Sequence, residues 1–325
     1  MKFSLLSVTY GGLFYSGPAL TLEQQIAKVK QLGFDGLSIE TKRPVASPLD
    51  LSKSERQQIK SVARDEGIEL VAIESMSNFC SELMEERENN LAMMQLVLDL
   101  AQDFGVNMVK IFAAWPGIIN NEQPAKYGDY DRGNYFKPLY APDIKLWRRA
   151  VEGIREVANR AADVGVTLVL QNHGPVLTPG YEDVLSMTKE IDRSNVKICL
   201  DVPMFYDRQE TEYVREAVEK CSEFIRYSHY GAWNFDQSPE GEIILAPAPG
   251  HGGIINYEAF IDALNQHGYD GYLCSEYCLP VWREHKLCGI EDVDLATNRA
   301  LKYMKELVQR VSASKKSMAS KATLN

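Results

Sequence analysis

Residues 163–174 read DVGVTLVLQNHG. In order, the stretch offers the end of a helix, a glycine able to take positive φ, a short apolar β run and a polar terminus. The same event recurs as QLGFDG at 31–36, DEGIEL at 65–70, DFGVNM at 103–108 and QHGYDG at 266–271. Outward from these points, apolar runs appear at Phe3 to Val8, Phe34 to Glu40, Ile68 to Glu74, Met108 to Ala113, Val166 to Gln171, Val196 to Asp201, Phe224 to His229 and Tyr269 to Glu276. Each is separated from the next by enough chain for a helix. Thr21 with Gln24 and Ser52 with Glu55 have capping-box spacing, and Leu22, Ile26, Val29 and Leu32 share one helical face.

Strand and helix in strict alternation predict an α/β protein with a parallel sheet, and eight repeats close a (β/α)8 (TIM) barrel. A doubly wound open sheet is disfavoured. No G-x-G-x-x-G follows the first run, no P-loop occurs, and Gly11-Gly12 reads as a turn. A minimal barrel needs about 250 residues. The chain has 325, and the surplus falls mainly in two Pro-, Gly- and aromatic-rich segments, 114–142 after the fourth run and 231–256 after the seventh. We therefore expect a single barrel domain over 1–311 with long loops over its catalytic face, then a flexible tail over 312–325.

Composition narrows the partners. Lys and Arg number 35 against 45 Asp and Glu, a net charge of -10, which is the wrong sign for a nucleic-acid binder. Six scattered cysteines with no C-x-x-C pair predict free thiols in a reducing compartment. The opening MKFSLLSVTYGG is too short in apolar residues for a signal peptide, and no window approaches a membrane span. The expectation is a cytoplasmic enzyme with no membrane partner.

In such a barrel the C-terminal ends of the strands converge on one site. Here they carry Glu40, Glu74, Lys110, Gln171 with Asn172 and His173, Asp201, His229 and Glu276. Two carboxylates, one imidazole and one amide oxygen make Gln171, Asp201, His229 and Glu276 a candidate set for a divalent metal, Mn²⁺ foremost, with Mg²⁺, Co²⁺ or Zn²⁺ as alternatives. Separately hydrogen-bonded polar residues closing the barrel mouth are the competing reading. His173 lies two residues past Gln171, on the same strand face, and is the leading candidate for general base or acid. Lys110 sits in an apolar run and needs a partner, for which Glu74 or Glu40 is placed. Glu74 and Lys110 are the further candidates for proton transfer or orientation. Asn172, Trp115, Tyr230, Trp233 and His251 are expected to contact substrate, since the aromatics of the two loops would stack on a sugar face or a flat aglycone. His267 and His285 are expected to be surface or packing residues.

The phrases VTLVLQNHG, VKICLDVP, IRYSHYG and GYLCSEY resemble strands five to eight of the xylose-isomerase-like superfamily of sugar isomerases and epimerases. That resemblance implies a metal held by the ends of those four strands, with Gln171 where the superfamily commonly has Glu. It also implies that ketose 3-epimerases exchange a proton through carboxylates on strands five and eight. Gln171 cannot act as such a base, and Met204 stands where those epimerases carry a substrate-holding His. The aromatic segment after KIFAAWPG and the QNH sequence further resemble the larger subunit of bacterial C-glycoside deglycosidases. This implies a lyase on a 3-keto C-glycoside, acting by enolate formation and loss of the aglycone, with a small all-β partner subunit in a hetero-oligomer. The alternative is a metal-dependent sugar epimerase or isomerase using the same enolate. A nuclease is disfavoured by charge, and a non-catalytic barrel would leave Asp201 without a role.

Overall fold

The computed structural model describes residues 1–115, 144–173, 177–205, 208–231, 235–245, 255–278, 280 and 282–322. Their parallel strands are β1 (Lys2–Leu6), β2 (Gly36–Glu40), β3 (Glu69–Glu74), β4 (Met108–Ile111), β5 (Thr167–Gln171), β6 (Val196–Cys199), β7 (Ile225–Gly231) and β8 (Tyr272–Glu276). They close into a barrel, each strand paired with its sequence neighbours and β1 with β8. Every one lies within a run expected from sequence, apart from one or two residues at a strand end.

Around the barrel run α1 (Leu22–Leu32), α2 (Lys53–Glu66), α3 (Met84–Phe104), α4 (Ile144–Asp163), α5 (Tyr181–Ile191), α6 (Thr211–Cys221), α7 (Tyr257–Gln266) and α8 (Ile290–Ala322). Local chemistry sets their ends. Thr21 and Ser52 each close a reciprocal capping box, with Gln24 and Glu55. Gly33, Gly67, Gly105, Gly165 and Gly268 all have φ between 71° and 83°, so each repeated stop turns the chain back toward the sheet through a left-handed residue.

Alternation along each strand divides the residues between two layers. Leu37, Ile39, Ile73, Val109, Leu168, Leu170, Ile198 and Leu273 face outward and are buried under the helices. The inward face is largely polar, with Leu6 and Val169 among its apolar members. Ser4, Ser38, Glu74, Lys110, Gln171, Cys199, Tyr227, His229 and Cys274 are all buried. The apolar core that stabilises this barrel therefore lies between sheet and helices, and its interior is given over to hydrogen bonds.

Two findings refine the expected loops. Part of the segment expected to be irregular after β7 is an antiparallel ribbon, Phe235–Gln237 with Ile243–Leu245, whose Phe235 stacks on Tyr257 of α7. A second ribbon joins Trp282–Arg283 to Lys286–Leu287. The chain after Val311 continues α8 as far as Ala322. Among the described residues no helix is long and apolar enough to cross a membrane. Most of the 114–142 segment lies outside the described residues.

Gly36 shows how tightly β2 meets β3. A Cβ there would lie 2.5 Å from Val71 Cγ2 and 2.8 Å from the Glu69 carbonyl oxygen, and backbone cannot move aside cheaply. Gly36→Ala is expected to lower unfolding free energy by about 1–3 kcal/mol in urea denaturation. Stability equal to the parent would show that the β2–β3 seam is looser than this contact implies.

Candidate metal centre and active site

Barrel closure brings residues far apart in sequence onto His229. Its Nε2 lies 3.0 Å from Glu74 Oε1 and its Nδ1 lies 3.0 Å from Asp201 Oδ2. Glu276 Oε2 is 4.0 Å from the same Nδ1. The Gln171 amide nitrogen is 2.5 Å from Asp201 Oδ2 and 3.0 Å from His229 Nδ1. Asp201 is held by its surroundings as well: Oδ1 accepts the His229 backbone N–H at 2.6 Å and the Cys199 thiol at 3.3 Å. Four strand ends, β5 through β8, thus meet around one imidazole nitrogen.

On the opposite wall, Glu40, Glu74 and Lys110 stand in register across β2, β3 and β4. Lys110 Nζ is 3.5 Å from Glu74 Oε2, the ion pair expected from sequence, and both side chains are buried. The ammonium also sits 3.7 Å from the centre of the Phe112 ring, a cation–π contact that partly replaces lost hydration.

These charges shift one another. Burial disfavours protonated His229, but the Glu74 and Asp201 carboxylates outweigh it and hold the imidazole well above its ordinary pKa. Burial likewise pushes Glu74 and Asp201 up, and His229 reverses the sign, helped by Lys110 at Glu74, so both stay below the usual carboxylate range. Glu276 goes the other way: burial raises it and the neighbouring carboxylates add to that. Cys199 is pushed well above the usual thiol range by burial and by Asp201, and Cys274 to about 11, chiefly by burial. Both remain thiols, although each falls within a His-and-carboxylate cluster close enough to share an ion.

The donors fit a divalent metal. Glu74 is balanced by Lys110, which leaves the formal charges of Asp201 and Glu276 for a cation at His229 Nδ1. Gln171 Oε1 is buried with no hydrogen-bond partner, and a half-turn of the amide would present that oxygen where the nitrogen now stands. Oxygen donors with one imidazole suit a hard or borderline ion.

Other residues expected at the site divide. His173 is buried, with its ring edge-on to Phe112 and Trp115 at 5.4 and 5.5 Å, and those two rings stack at 4.6 Å. Trp115 therefore packs on the candidate base. Asn172 is hydrogen-bonded to the backbone. Its amide oxygen accepts the Asp201 N–H at 2.7 Å and its amide nitrogen donates to the Asp201 carbonyl at 3.2 Å, clamping the main chain that carries Asp201. Tyr230 alternates with His229 and so points away from the barrel interior, toward Phe235 at 6.5 Å, buried beneath the helices. Its place beside His229 in the sequence suggests proximity to substrate, whereas strand alternation turns it the opposite way. Trp233 and His251 lie outside the described residues.

Tyr227 and Ser38 join the cluster without having been expected from sequence. The Tyr227 hydroxyl donates to Glu74 Oε1 at 3.0 Å and hydrogen-bonds Ser38 from across the barrel. Each stands two residues before a polar strand end, His229 or Glu40, and that period-two step back is the signal that could have found them.

Known proteins bear this architecture out. The model of the xylose isomerase-like TIM barrel family matches residues 26–307, and the chain belongs to that family. It is 23% identical over 311 residues to fructoselysine 3-epimerase of Escherichia coli O157:H7, covering 93% of this chain and 97% of that protein. The crystal structure of a D-psicose 3-epimerase in the presence of D-fructose superposes with a TM-score of 0.71 at 17% identity, over 95% of this chain and 99% of the other. A xylose isomerase-like TIM barrel protein from Mycobacterium smegmatis in complex with magnesium superposes with a TM-score of 0.65 at 21% identity, covering 95% and 97%.

Glu40 provides a check on the electrostatics. Its carboxyl is 4% exposed and burial raises its pKa from 4.5 to about 7, Lys42 and Lys110 opposing. A raised acid contributes stability that is full below its unfolded pKa and is lost as pH rises through the folded value. Glu40→Gln, which cannot ionise, should gain stability over the parent at pH 8 by on the order of 2–3 kcal/mol more than at pH 5. Urea denaturation of chelator-treated protein at both pH values measures this, and an equal difference at the two would return Glu40 to ordinary titration.

Proposed function

We propose that this member of the xylose isomerase-like TIM barrel family is a divalent-metal-dependent sugar epimerase or isomerase that moves a proton beside a sugar carbonyl. The observation that carries the reading is the convergence of Gln171, Asp201 and Glu276 on His229 Nδ1, within 2.5–4.0 Å of one another or of that nitrogen. Those four residues would hold the ion. When bound, a divalent ion such as Mn²⁺ or Mg²⁺ supplies Lewis acidity that lowers the barrier to removing a proton beside a carbonyl. The epimerase relatives support this choice of chemistry.

The remaining work falls to the chain's own side chains. Glu276 is the one of the four with its side chain as much as 20% open, so it is the carboxylate placed to take and return a proton on its side of the sugar. Gln171 has no proton to exchange, and the opposite side passes to His173, whose ring packs edge-on against the stacked Phe112 and Trp115. The same aromatic pair excludes water from that wall and offers an apolar face to the sugar ring. Lys110, fixed by Glu74 and Phe112, keeps a positive charge on the β4 side, where it would stabilise negative charge developing on the substrate.

A second reading is favoured by Gln171 itself. Elimination takes one proton from the sugar carbon beside the carbonyl and gives one to the aglycone carbon as its bond to the sugar breaks, so a single group that accepts the proton and hands it on suffices. On that reading the chain is a lyase acting on a 3-keto C-glycoside, with the aglycone leaving after proton loss and a small all-β subunit sharing the mouth.

Incubation in D₂O separates the two. Ketoses and 3-keto glycosides should take up deuterium beside the carbonyl and epimerise, in protein that chelator inactivates and Mn²⁺ or Mg²⁺ restores. Release of free aglycone from a 3-keto C-glycoside, without epimer, would replace the first reading by the second. Activity unaffected by chelator would remove both. His173→Ala should keep metal binding and lose about 10²–10⁴ in turnover; unchanged turnover would take His173 out of the chemistry.

A further inference from the structure

By sequence Glu74 is a group that could exchange a proton with substrate, but its surroundings leave it no freedom to do so. Oε1 receives two hydrogen bonds, from His229 Nε2 at 3.0 Å and from the Tyr227 hydroxyl at 3.0 Å. Oε2 faces Lys110 Nζ at 3.5 Å. The carboxylate is fully buried, and Tyr227 is itself bonded to Ser38 on β2. Oε2 makes no hydrogen bond, but it too is shut off from solvent, with the Lys110 ammonium beside it.

We infer that Glu74 is a positioning residue for the metal centre: it accepts the Nε2–H of His229, fixes the ring's orientation and tautomer, and so directs the Nδ1 lone pair at the point where Asp201, Gln171 and Glu276 meet. The inference rests on the metal reading of the preceding subsection and gives it a second layer. A histidine that binds a cation through one nitrogen must carry its proton on the other, and a carboxylate accepting that proton both selects the tautomer and makes the ring a stronger donor. The geometry is complete on this side of the ring. Nε2 meets only Glu74 among the hydrogen bonds of the described residues, while all contacts with the candidate ligands are made by Nδ1.

The surrounding residues support this role. Tyr227 holds Oε1 in line with Nε2 by donating to the same oxygen, and Ser38 fixes Tyr227 from across the barrel. Lys110 neutralises Glu74, so the carboxylate strengthens the imidazole without competing for the cation. Ser38, Tyr227, Glu74 and His229 thus form one hydrogen-bonded chain from β2 through β7 and β3 back to β7, spanning the barrel interior.

The test is calorimetric titration of Mn²⁺ into chelator-stripped, full-length protein, with thermal unfolding of each variant alongside. The parent should bind Mn²⁺. Glu74→Leu combined with Lys110→Met removes the acceptor and its counter-charge together, replacing a buried ion pair by apolar side chains. It should weaken Mn²⁺ binding by about 10- to 100-fold, with the thermal unfolding transition showing that the variant is still folded. Glu74→Gln, nearly identical in shape, guards against misfolding of the double variant and should weaken binding in the same direction. Parental affinity in a folded variant of either kind would overturn the positioning role and leave the metal reading intact. A parent that takes up no Mn²⁺ would overturn the metal reading and this inference with it.

Discussion

His229 sits between two carboxylates inside a closed barrel, and the rest of the molecule can be understood as what makes that arrangement tolerable. Glu74 and Asp201 each lie 3.0 Å from one of its nitrogens, and all three are buried. Burying charges costs several kcal/mol per ion unless geometry and hydrogen bonds are both in place. The barrel meets that demand locally. Glu74 has Tyr227 and Lys110, and Asp201 has Gln171, Cys199 and the His229 backbone. Asn172 grips the main chain of Asp201 from both sides. No part of this cluster can be removed without exposing another to an uncompensated neighbour.

An interior of this kind cannot also be the hydrophobic core. Barrels commonly fill their centres with layers of branched apolar side chains, whereas here Ser4, Ser38, Tyr227, Cys199 and Cys274 occupy those positions beneath the charged cluster. Stability has moved outward. The β-branched and leucine faces of the strands meet the helices there, with Ile26 and Val29 of α1, Ile154 and Val157 of α4 and Ile261 and Leu264 of α7 almost wholly buried. The division explains why a strand in this chain reads as a continuous apolar run that ends abruptly in a charge. The outward layer takes the apolar groups, the last inward position belongs to the site, and Tyr227 and Ser38, one inward step below it, hold Glu74 in place.

Much of this was legible in the sequence because it is written locally. A glycine stop with positive φ, a capping box and a run of β-branched residues each depend on fewer than about ten neighbouring residues, so strand count, helix ends and barrel closure followed from them. The polar strand ends were legible for the same reason. Their partners were not. Which wall of the barrel Glu74 meets is decided by closure, and 153 positions of chain separate Glu74 on β3 from Tyr227 on β7. The sequence offered Glu74 or Glu40 to Lys110, and adjacency of β3 and β4 makes it Glu74; His229 was missed because it lies across. Asn172 and Tyr230 show the other limit. Both adjoin a predicted ligand, but Asn172, past the end of β5, holds the Asp201 main chain, and Tyr230, next to His229 within β7, takes the opposite face of the strand.

Gln171 is where fold and chemistry press on each other hardest. A carboxylate at that position would lie 2.5 Å from Asp201 Oδ2, with Glu276 also nearby. Two anions at that distance repel unless a cation or a shared proton stands between them. The amide relieves the repulsion by donating to Asp201, and a half-turn would exchange that donation for an oxygen facing a metal. In exchange the fifth strand gives up a proton-transfer group. Any reaction that needs protons handled on both faces of a sugar must then find its second group elsewhere on the mouth. The candidate the proposed reading uses is His173, two residues beyond the end of β5 and packed against Phe112 and Trp115. On the proposed reading, an amide ligand at Gln171 and an imidazole at His173 would divide between them what one carboxylate on β5 would otherwise do: hold the cation and exchange the proton.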